Sequence, residues 1–228
     1  MAKRKVAEAS DVVTSGITIT EPKFHTISIL ITGDSPYCQN RFSHKAMEEM
    51  KRKQEAGGTS VKGKKRDPKD FKDCWEQARH VSREGWDGIP APAFRKAMVS
   101  ACRVCDFAMT LAKLCVFVEA DGFDRIDDTP LVKIIKGTPK YAEHAVRNES
   151  GVADIRPRPI FDPGWQAIVR ITYDADKFTA TDVVNLMRRV GVQVGIGEGR
   201  PDSKKSCGMG WGTFAVMSQE ASITKQAS

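Results

Sequence analysis

The sequence lacks the patterns that are typical of membrane and secreted proteins. No apolar run approaches the ~20 residues that a membrane-spanning helix needs, and no apolar segment follows the basic start MAKRK. The six cysteines are scattered, and without a secretory signal they do not indicate a disulfide framework. We therefore expect a folded, cytoplasmic protein without a membrane partner, since 228 residues can bury a substantial core.

Motifs for catalysis, nucleotide binding and metal binding are also missing. There is no P-loop or dinucleotide fingerprint, and the four histidines show no metal-ligand spacing. Cys102 and Cys105 form a C-x-x-C inside a predicted helix, which favours buried apolar side chains over zinc ligands. The aspartates of the loop 121–128 lack the spacing of a calcium loop and are typical of a solvated turn. We expect no cofactor, no metal site and no catalytic residue.

Positive charge, in contrast, is concentrated in one part of the chain. The net charge is +7, and residues 41–66 hold nine lysines and arginines against three glutamates, an excess of six. Such a patch attracts polyanions, although a solvated helix face followed by a loop is the alternative interpretation. The candidate phosphate contacts in this basic segment are Arg41, Lys45, Arg52, Lys62, Lys64, Lys65 and Arg66.

Glycine is equally concentrated, near the end of the chain. Seven glycines fall between Gly191 and Gly212, within GVQVGIGEGRPDSKKSCGMGWGTFAV. Glycine permits positive φ and close backbone approach, so we expect main-chain N–H groups here to form a nest for phosphates. A flexible connector is the alternative. The candidate contacts in this glycine loop are Gly195, Gly197, Gly199, Arg200, Lys204, Lys205 and the stacking residue Trp211.

Periodicity predicts alternating strands and helices. Strands are expected at 24–32, 113–120, 130–137, 165–174 and 211–217, and helices at 41–55, 69–78, from Pro92 through about 111, and at 179–190. The last helix is expected to be capped by Thr179 or Thr181 and to end at Gly191. A turn is expected at Asp87-Gly88. Trp211 and Phe214 would face opposite sides of the final strand, so only one of them can be a core residue.

This order favours an α+β domain. The simplest assembly is a ferredoxin-like, RRM-like βαββαβ core, an antiparallel sheet with both helices on one face and with inserted loops and hairpins. We expect residues 1–22 to be a flexible arm, 23–217 to form this single domain with insertions at about 57–90 and 120–160, and 218–228 to be a flexible tail.

Three stretches resemble a group of uncharacterised tailed-phage proteins. These are GDSP-x(5)-FS-x-KA (33–46), IPAPAFRKAMVSA (89–101) and VGVQVGIGEGRPDS…GTFAV (190–216), and the resemblance covers most of 24–217. Those proteins end in a pattern of the form GIGEWRPE…G-x-F. This chain departs from it at Gly199, where an aromatic residue is usual, and in the longer loop SKKSCGMGWG.

A more remote resemblance is to the repeat-associated RNA-binding superfamily of CRISPR systems. Its RRM-like domains carry a glycine-rich loop between the last helix and the last strand, where this chain places its glycine loop. IPAPAFRKAM, which contains Arg95, resembles the loop and helix that pack near the bound strand in backbone subunits. The resemblance implies a ferredoxin-like fold, a single-stranded nucleic-acid ligand and head-to-tail assembly, and it does not imply nuclease activity.

The sequence thus leads to one hypothesis and two alternatives. The first is a phage-encoded protein that holds single-stranded DNA or RNA between the glycine loop and the basic segment, as repeated subunits of a homo-oligomer. The second is a virion component or an anti-defence protein that binds a host complex by mimicking one of its subunits. The third is a metal-independent ribonuclease with His44 or His144 as general acid or base.

Overall fold

The structure, a computed structural model, describes residues 19–42, 44–55, 70–147, 153–203, 208–217 and 223–225. The predicted N-terminal arm lies almost wholly outside these residues. So do the glycine- and lysine-rich loop at 57–68 and most of the predicted tail. Lys62, Lys64, Lys65, Arg66, Lys204 and Lys205 are among the predicted contacts that fall outside them.

Helices and strands alternate along the described chain. The strands are β1 Phe24–Gly33, β2 Tyr37–Cys38, β3 Gly88–Pro90, β4 Val116–Val118, β5 Gly122–Phe123, β6 Pro130–Lys136, β7 Lys140–Arg147, β8 Ala153–Phe161, β9 Gln166–Asp174, β10 Phe214–Val216 and β11 Ile223–Lys225. The helices are α1 His44–Glu55, α2 Phe71–Gln77, α3 Ala91–Ala101, α4 Met109–Cys115 and α5 Ala180–Arg189. A 3₁₀ turn at Cys102–Val104 follows α3, and a π-helical turn at Val190–Val194 follows α5.

The strands form two antiparallel sheets. The main sheet has the order β10-β1-β9-β6-β3, and in addition β11 pairs with β1, β4 with β9 and β5 with β6. The second sheet has the order β2-β8-β7, in which β7 and β8 form a long hairpin. The combination of antiparallel sheets with helices confirms the predicted α+β class.

The main sheet is closed on one face and open on the other. Alternate residues of its two central strands are buried in one apolar core with side chains of α3 and α5, because successive side chains of a strand point to opposite faces. The buried strand residues are Ile27, Ile29 and Ile31 of β1 and Ala167, Val169 and Ile171 of β9. The opposite, open face carries the intervening residues of β1 and β9, most of them polar.

The principal helices begin where the sequence signals predict. Pro92 stands in the first turn of α3, where its missing N–H costs no hydrogen bond. Thr179 caps α5 in a capping box with Asp182, and this decides between the two predicted capping residues. Beyond α5 the chain continues through the π-helical turn to Gly195, so the helical segment does not end at Gly191.

Local predictions fail at three places. The helix expected from Pro92 to about 111 is two helices, because the chain reverses at Asp106, whose φ is +52°. Residues 113–115, expected in a strand, are the last residues of α4. The turn expected at Asp87-Gly88 lies at 82–86 instead, where Ser82 N–H donates to the Trp86 carbonyl at 2.8 Å, and Gly88 begins β3.

The described residues contain neither a disulfide nor a candidate metal site. Cys38, Cys74, Cys102, Cys105 and Cys115 are free thiols, and no group of three potential ligands lies close together in this part of the chain. None of the described helices has the length and apolarity needed to cross a membrane.

One acidic residue expected in a solvated turn is fully buried. Asp124 accepts hydrogen bonds from His80 Nδ1 at 3.1 Å and from the Ile126 N–H at 2.9 Å. Burial by itself would raise the pKa of Asp124, but these bonds and the nearby charges of His80 and Arg41 together hold that pKa below its ordinary value. Asp124 therefore joins the loop after β5 to the segment that precedes β3.

Asp124→Asn tests this buried contact. A carboxylate with a lowered folded-state pKa stabilises the fold above its unfolded pKa of about 3.9, and this contribution is lost as the pH falls through the folded value. We expect the variant to lose roughly 1–3 kcal/mol of unfolding free energy at about pH 6, and this deficit to shrink below about pH 4. Urea unfolding across this pH range measures it, and a deficit that grows on acidification would contradict the assignment.

Candidate functional site

The glycine loop begins where the π-helical turn ends. Gly195 follows the turn with φ +68°, and its N–H donates to the Val190 carbonyl at 2.8 Å. Every described glycine of the loop from Gly195 onward has a φ between +65° and +79°, a backbone region that other residues rarely adopt. These residues are Gly195, Gly197, Gly199, Gly208, Gly210 and Gly212.

Steric contacts show a second reason for glycine. A Cβ at Gly212 would lie 1.8 Å from the Ile196 carbonyl oxygen, and a Cβ at Gly197 would lie 2.5 Å from that of Cys38. At Gly210, which has a similar φ of +74°, a Cβ would meet no atom within 4 Å. The loop is therefore packed tightly against itself and against β2, and the interpretation as a flexible connector does not describe these residues.

Hydrogen bonds already occupy many main-chain N–H groups of the loop. Each donates to a carbonyl of the protein at 2.7–3.1 Å, so in this conformation a phosphate nest cannot be built from them. The donors are Gly195 to Val190, Ile196 to Gly212, Glu198 to Cys38, Met209 and Trp211 to Gly199, and Gly212 to Pro36. The N–H groups of Gly197 and Gly199 are not among these donors, and their predicted phosphate contacts stay a prediction.

Ion pairs attach the glycine loop to the β7–β8 hairpin. Glu198 accepts from Arg158 Nε on β8, and its second oxygen lies 3.7 Å from Arg156 Nη1. Arg156 also pairs with Asp154 at 3.1 Å. The two arginines share a face of β8 because they are two residues apart. Period-2 spacing in ADIRPRPIF carried this signal, but the partner Glu198 is 40 residues away and could not be identified from the sequence.

A second ion pair attaches the loop to the end of α3. Asp202 accepts from Ser100 Oγ and pairs with Arg103 Nη2 at 2.7 Å. The Ser100 hydrogen bond, followed by the interaction with Arg103, lowers the pKa of Asp202. This contact also was not predicted. The loop is thus held on two sides, by the hairpin and by α3.

Trp211 packs at the surface of the loop, whereas Phe214 is fully buried. As predicted, only one of the two is a core residue. The predicted reason is wrong, because the strand expected at 211–217 comprises only Phe214–Val216 and Trp211 lies in the turn before it. The indole lies against Gly199, where a Cβ would be 2.7 Å from Trp211 Cε3, and its ring centroid is 4.7 Å from that of His144 on β7. Trp211 thus occupies the space beside Gly199. Base stacking on Trp211 stays a prediction.

The arginines of the predicted interface occupy different environments. Arg200 lies on the loop and donates from Nη1 to the Gly197 carbonyl at 3.0 Å. Arg52 is exposed on α1, the helix that also contains Lys45. Arg41 is only 3% exposed and donates from Nε to the Arg79 carbonyl at 2.8 Å. Its buried Nη1 has no hydrogen-bond partner in the described part of the chain. A surface phosphate cannot reach Arg41 in this structure, so its predicted role as a contact is not supported.

Arg95 lies away from the glycine loop. It donates to the carbonyls of Val116 at 3.0 Å and Lys113 at 2.6 Å, and so caps the end of α4. Val116 pairs with Tyr173, which pairs with His25 at the start of β1, whereas the glycine loop borders the opposite end of β1. Eight strand residues separate these ends by about 25 Å. Arg95 therefore does not join the other candidate residues.

The structure does bring the glycine loop close to the residues that precede the basic segment. The loop donates hydrogen bonds to the carbonyls of Pro36 and Cys38, and the chain then runs through Arg41 into α1 at His44. At most ~20 Å of extended chain separates Cys38 from His44. The two predicted halves of the interface thus share one anchoring strand, β2.

Comparisons with known proteins give a weak likeness to solved structures. No protein-family model matches the chain, and no curated protein matches it. One chain of a solved structure, "Cryo-EM structure of the Type III-B Cmr-beta bound to cognate target RNA", is similar with a TM-score of 0.46 and 11% sequence identity. The match covers 90% of this chain and 62% of that chain, so this chain spans less than two thirds of its length. A likeness at this level carries no conclusion about ligand or activity.

The tight packing of the loop can be tested by paired substitutions. We expect Gly210→Ala to lower the unfolding free energy by about 1–2 kcal/mol, because the left-handed backbone at this position is its only source of strain. Gly212→Ala should cost clearly more, since its Cβ would also overlap the Ile196 carbonyl. Thermal or urea unfolding of the two variants measures the difference. Equal costs would show that the loop is not packed as described.

Proposed function

We propose that this protein binds single-stranded nucleic acid, DNA or RNA, through its basic segment and the partly exposed side chains Arg200 and Trp211 of its glycine loop. The observation that carries the proposal is the excess of six positive charges in residues 41–66, in a segment that starts at the strand to which the glycine loop is bonded. Neutralised phosphates release counterions, which favours binding of any polyanion to such a segment.

The geometry favours contacts from side chains. Arg52 and Lys51 are exposed on α1, and Trp211 and Arg200 lie on a loop that is held by its own hydrogen bonds and by two ion pairs. A loop that is ordered before binding loses less conformational entropy when a ligand binds. We therefore place the phosphate contacts mainly on the basic segment. The glycine loop beside it supplies an ordered surface from which Arg200 and Trp211 contact the strand.

We further propose that the core is ferredoxin-like. The elements β1, α3, β4 with β6, β9, α5 and β10 follow each other as βαββαβ, and their strands have the order β10-β1-β9-β6 in the main sheet. In this interpretation the segments between β1 and α3 and between β6 and β9, which hold β2, α1, α2 and the β7–β8 hairpin, are insertions. Together with the resemblance of its three stretches, this arrangement supports a phage-encoded protein that assembles as repeated subunits along a strand.

Binding is favoured over cleavage. The ribonuclease alternative uses His44, whose side chain lies outside the described structure, or His144. His144 Nε2 is buried, without a hydrogen-bond partner in the described residues, and its ring lies against Trp211. A general base must reach the proton that it removes, and this nitrogen does not face solvent. We therefore propose a protein without nuclease activity.

Fluorescence anisotropy with labelled single-stranded oligonucleotides over a range of salt concentrations tests the proposal. We expect the logarithm of affinity to fall linearly with the logarithm of salt concentration. A variant with Lys62, Lys64, Lys65 and Arg66 each changed to glutamine should lose at least tenfold in affinity at low salt. Its slope should fall by up to about 3, at ~0.7 for each lost phosphate contact.

The matched control removes the same charge elsewhere. Lys72, Lys96, Lys113 and Lys177 are exposed and lie outside the basic segment, so their replacement by glutamine should leave the slope nearly unchanged. Equal effects of the two variants, or no binding of any oligonucleotide at low salt, would refute the proposal. A discrete complex with a host protein that resists nuclease treatment would instead support the virion or anti-defence alternative. Intact labelled RNA after incubation is the expected result for a protein that binds without cleaving.

A further inference from the structure

The open face of the main sheet contains a depression of about 270 Å³ at its β6 side. Exposed apolar side chains, Ile135 and Ile168, line it together with Trp86 and Glu84, and Asp121 and Arg170 border it. These residues come from β6, β9, the turn before β3 and the segment just before β5. Concave sites that combine apolar walls with a few polar groups are typical of small-ligand binding.

Trp86 forms a fixed aromatic wall of the depression. A Cβ at Gly122 would lie 2.8 Å from Trp86 Cζ2, and a Cβ at Gly88 would lie 3.0 Å from Cζ3, so any other residue at either position would displace the ring. The indole Nε1 donates to Glu84 Oε2 at 2.8 Å. Backbone on one side and a hydrogen bond at its edge thus hold the ring in place.

The other wall and the charges indicate a flat, uncharged ligand group. Ile135 is 48% and Ile168 41% exposed, and covering such apolar surface is favourable. Arg170 is neutralised by Asp121 at 2.6 Å and by Glu119 at 3.2 Å, so it offers little attraction to a phosphate. Lys133 Nζ lies 5.8 Å from the Trp86 ring centroid, on an exposed side chain whose flexible stem can move aside.

We propose that this depression is a nucleobase subsite, in which a base of the bound strand stacks on Trp86 and covers Ile135 and Ile168. Glu84 Oε1, which has no partner among the described residues, accepts a hydrogen bond from an exocyclic amino group of the base. A carboxylate matches the amino group of cytosine and repels the O4 oxygen of uracil. The inference rests on the proposed function for the source of the base, and it adds a preference for amino-bearing bases at one position of the strand.

Titration with free nucleosides tests the subsite without any phosphate. The protein is labelled with ¹⁵N in its tryptophan indoles, and Trp86→Phe identifies the Trp86 signal. Cytidine should shift this signal and leave that of the buried Trp165 unchanged, with an affinity at least about fivefold above that for uridine. Glu84→Gln should reduce this preference to less than about twofold, because an amide can also donate to O4.

Exposed isoleucines provide matched variants that leave Trp86 in place. Ile168→Lys removes part of the apolar wall and should abolish the cytidine shift, whereas Ile155→Lys, at an equally exposed position on the β7–β8 hairpin, should retain it. No shift of the Trp86 signal by cytidine up to its solubility limit in the wild-type protein would overturn the subsite, as would retention of the shift in Ile168→Lys.

The outcomes separate the subsite from the proposed function. If oligonucleotides bind but cytidine does not shift the Trp86 signal, the subsite is wrong and strand binding stands. If cytidine binds but no oligonucleotide does, the depression is a base site and its assignment to a bound strand is wrong. If both bind, Ile168→Gln, which adds no charge, should weaken binding of a cytidine oligomer at least about fivefold and leave its salt slope unchanged, because stacking and charge contribute independently.

Discussion

The antiparallel pairing of β1 with β9 organises the rest of the structure. Nine consecutive residue pairs join the two strands without a bulge, so the alternation of side chains stays in register along their whole length. One set of residues closes the core beneath α3 and α5, and the other set forms the open face. Both candidate sites are defined by this pairing, because the glycine loop borders one end of β1 and the depression lies on the open face.

The glycine loop owes its shape to contacts between segments that are distant in sequence. Glycines with positive φ let its backbone run within hydrogen-bond distance of residues 36–38, and Glu198 and Asp202 then tie it to β8 and to α3. The same hydrogen bonds that order the loop occupy the N–H groups of residues 195, 196, 198, 209, 211 and 212. A loop ordered in this way presents its side chains in fixed positions, and main-chain phosphate contacts at Gly197 and Gly199 stay a prediction.

Local patterns in the sequence were sufficient to predict the strands and helices that bury one regular face. Strict alternation predicted β1 and β9, and the capping signal and helical spacing predicted α5. The break after α3 was missed because it depends on a left-handed Asp106, which no local composition requires. The burial of Asp124 and Arg41 was missed for a related reason. Each is compensated by groups about 40 residues away, His80 for Asp124 and the end of α2 for Arg41, and such pairings exist only in the folded chain.

Charge and apolar surface are separated in this molecule. The basic segment accounts for six of the seven net positive charges, which leaves the remainder of the chain with a net charge of +1. The open face pairs Arg170 with two carboxylates and therefore exerts little long-range attraction on a polyanion. In the proposed binding mode, attraction from a distance originates at the basic segment, whereas a preference among bases depends on short-range contact with Trp86 and its neighbours. Because that proposal assigns the two contributions to different residues, it implies that affinity and selectivity change independently.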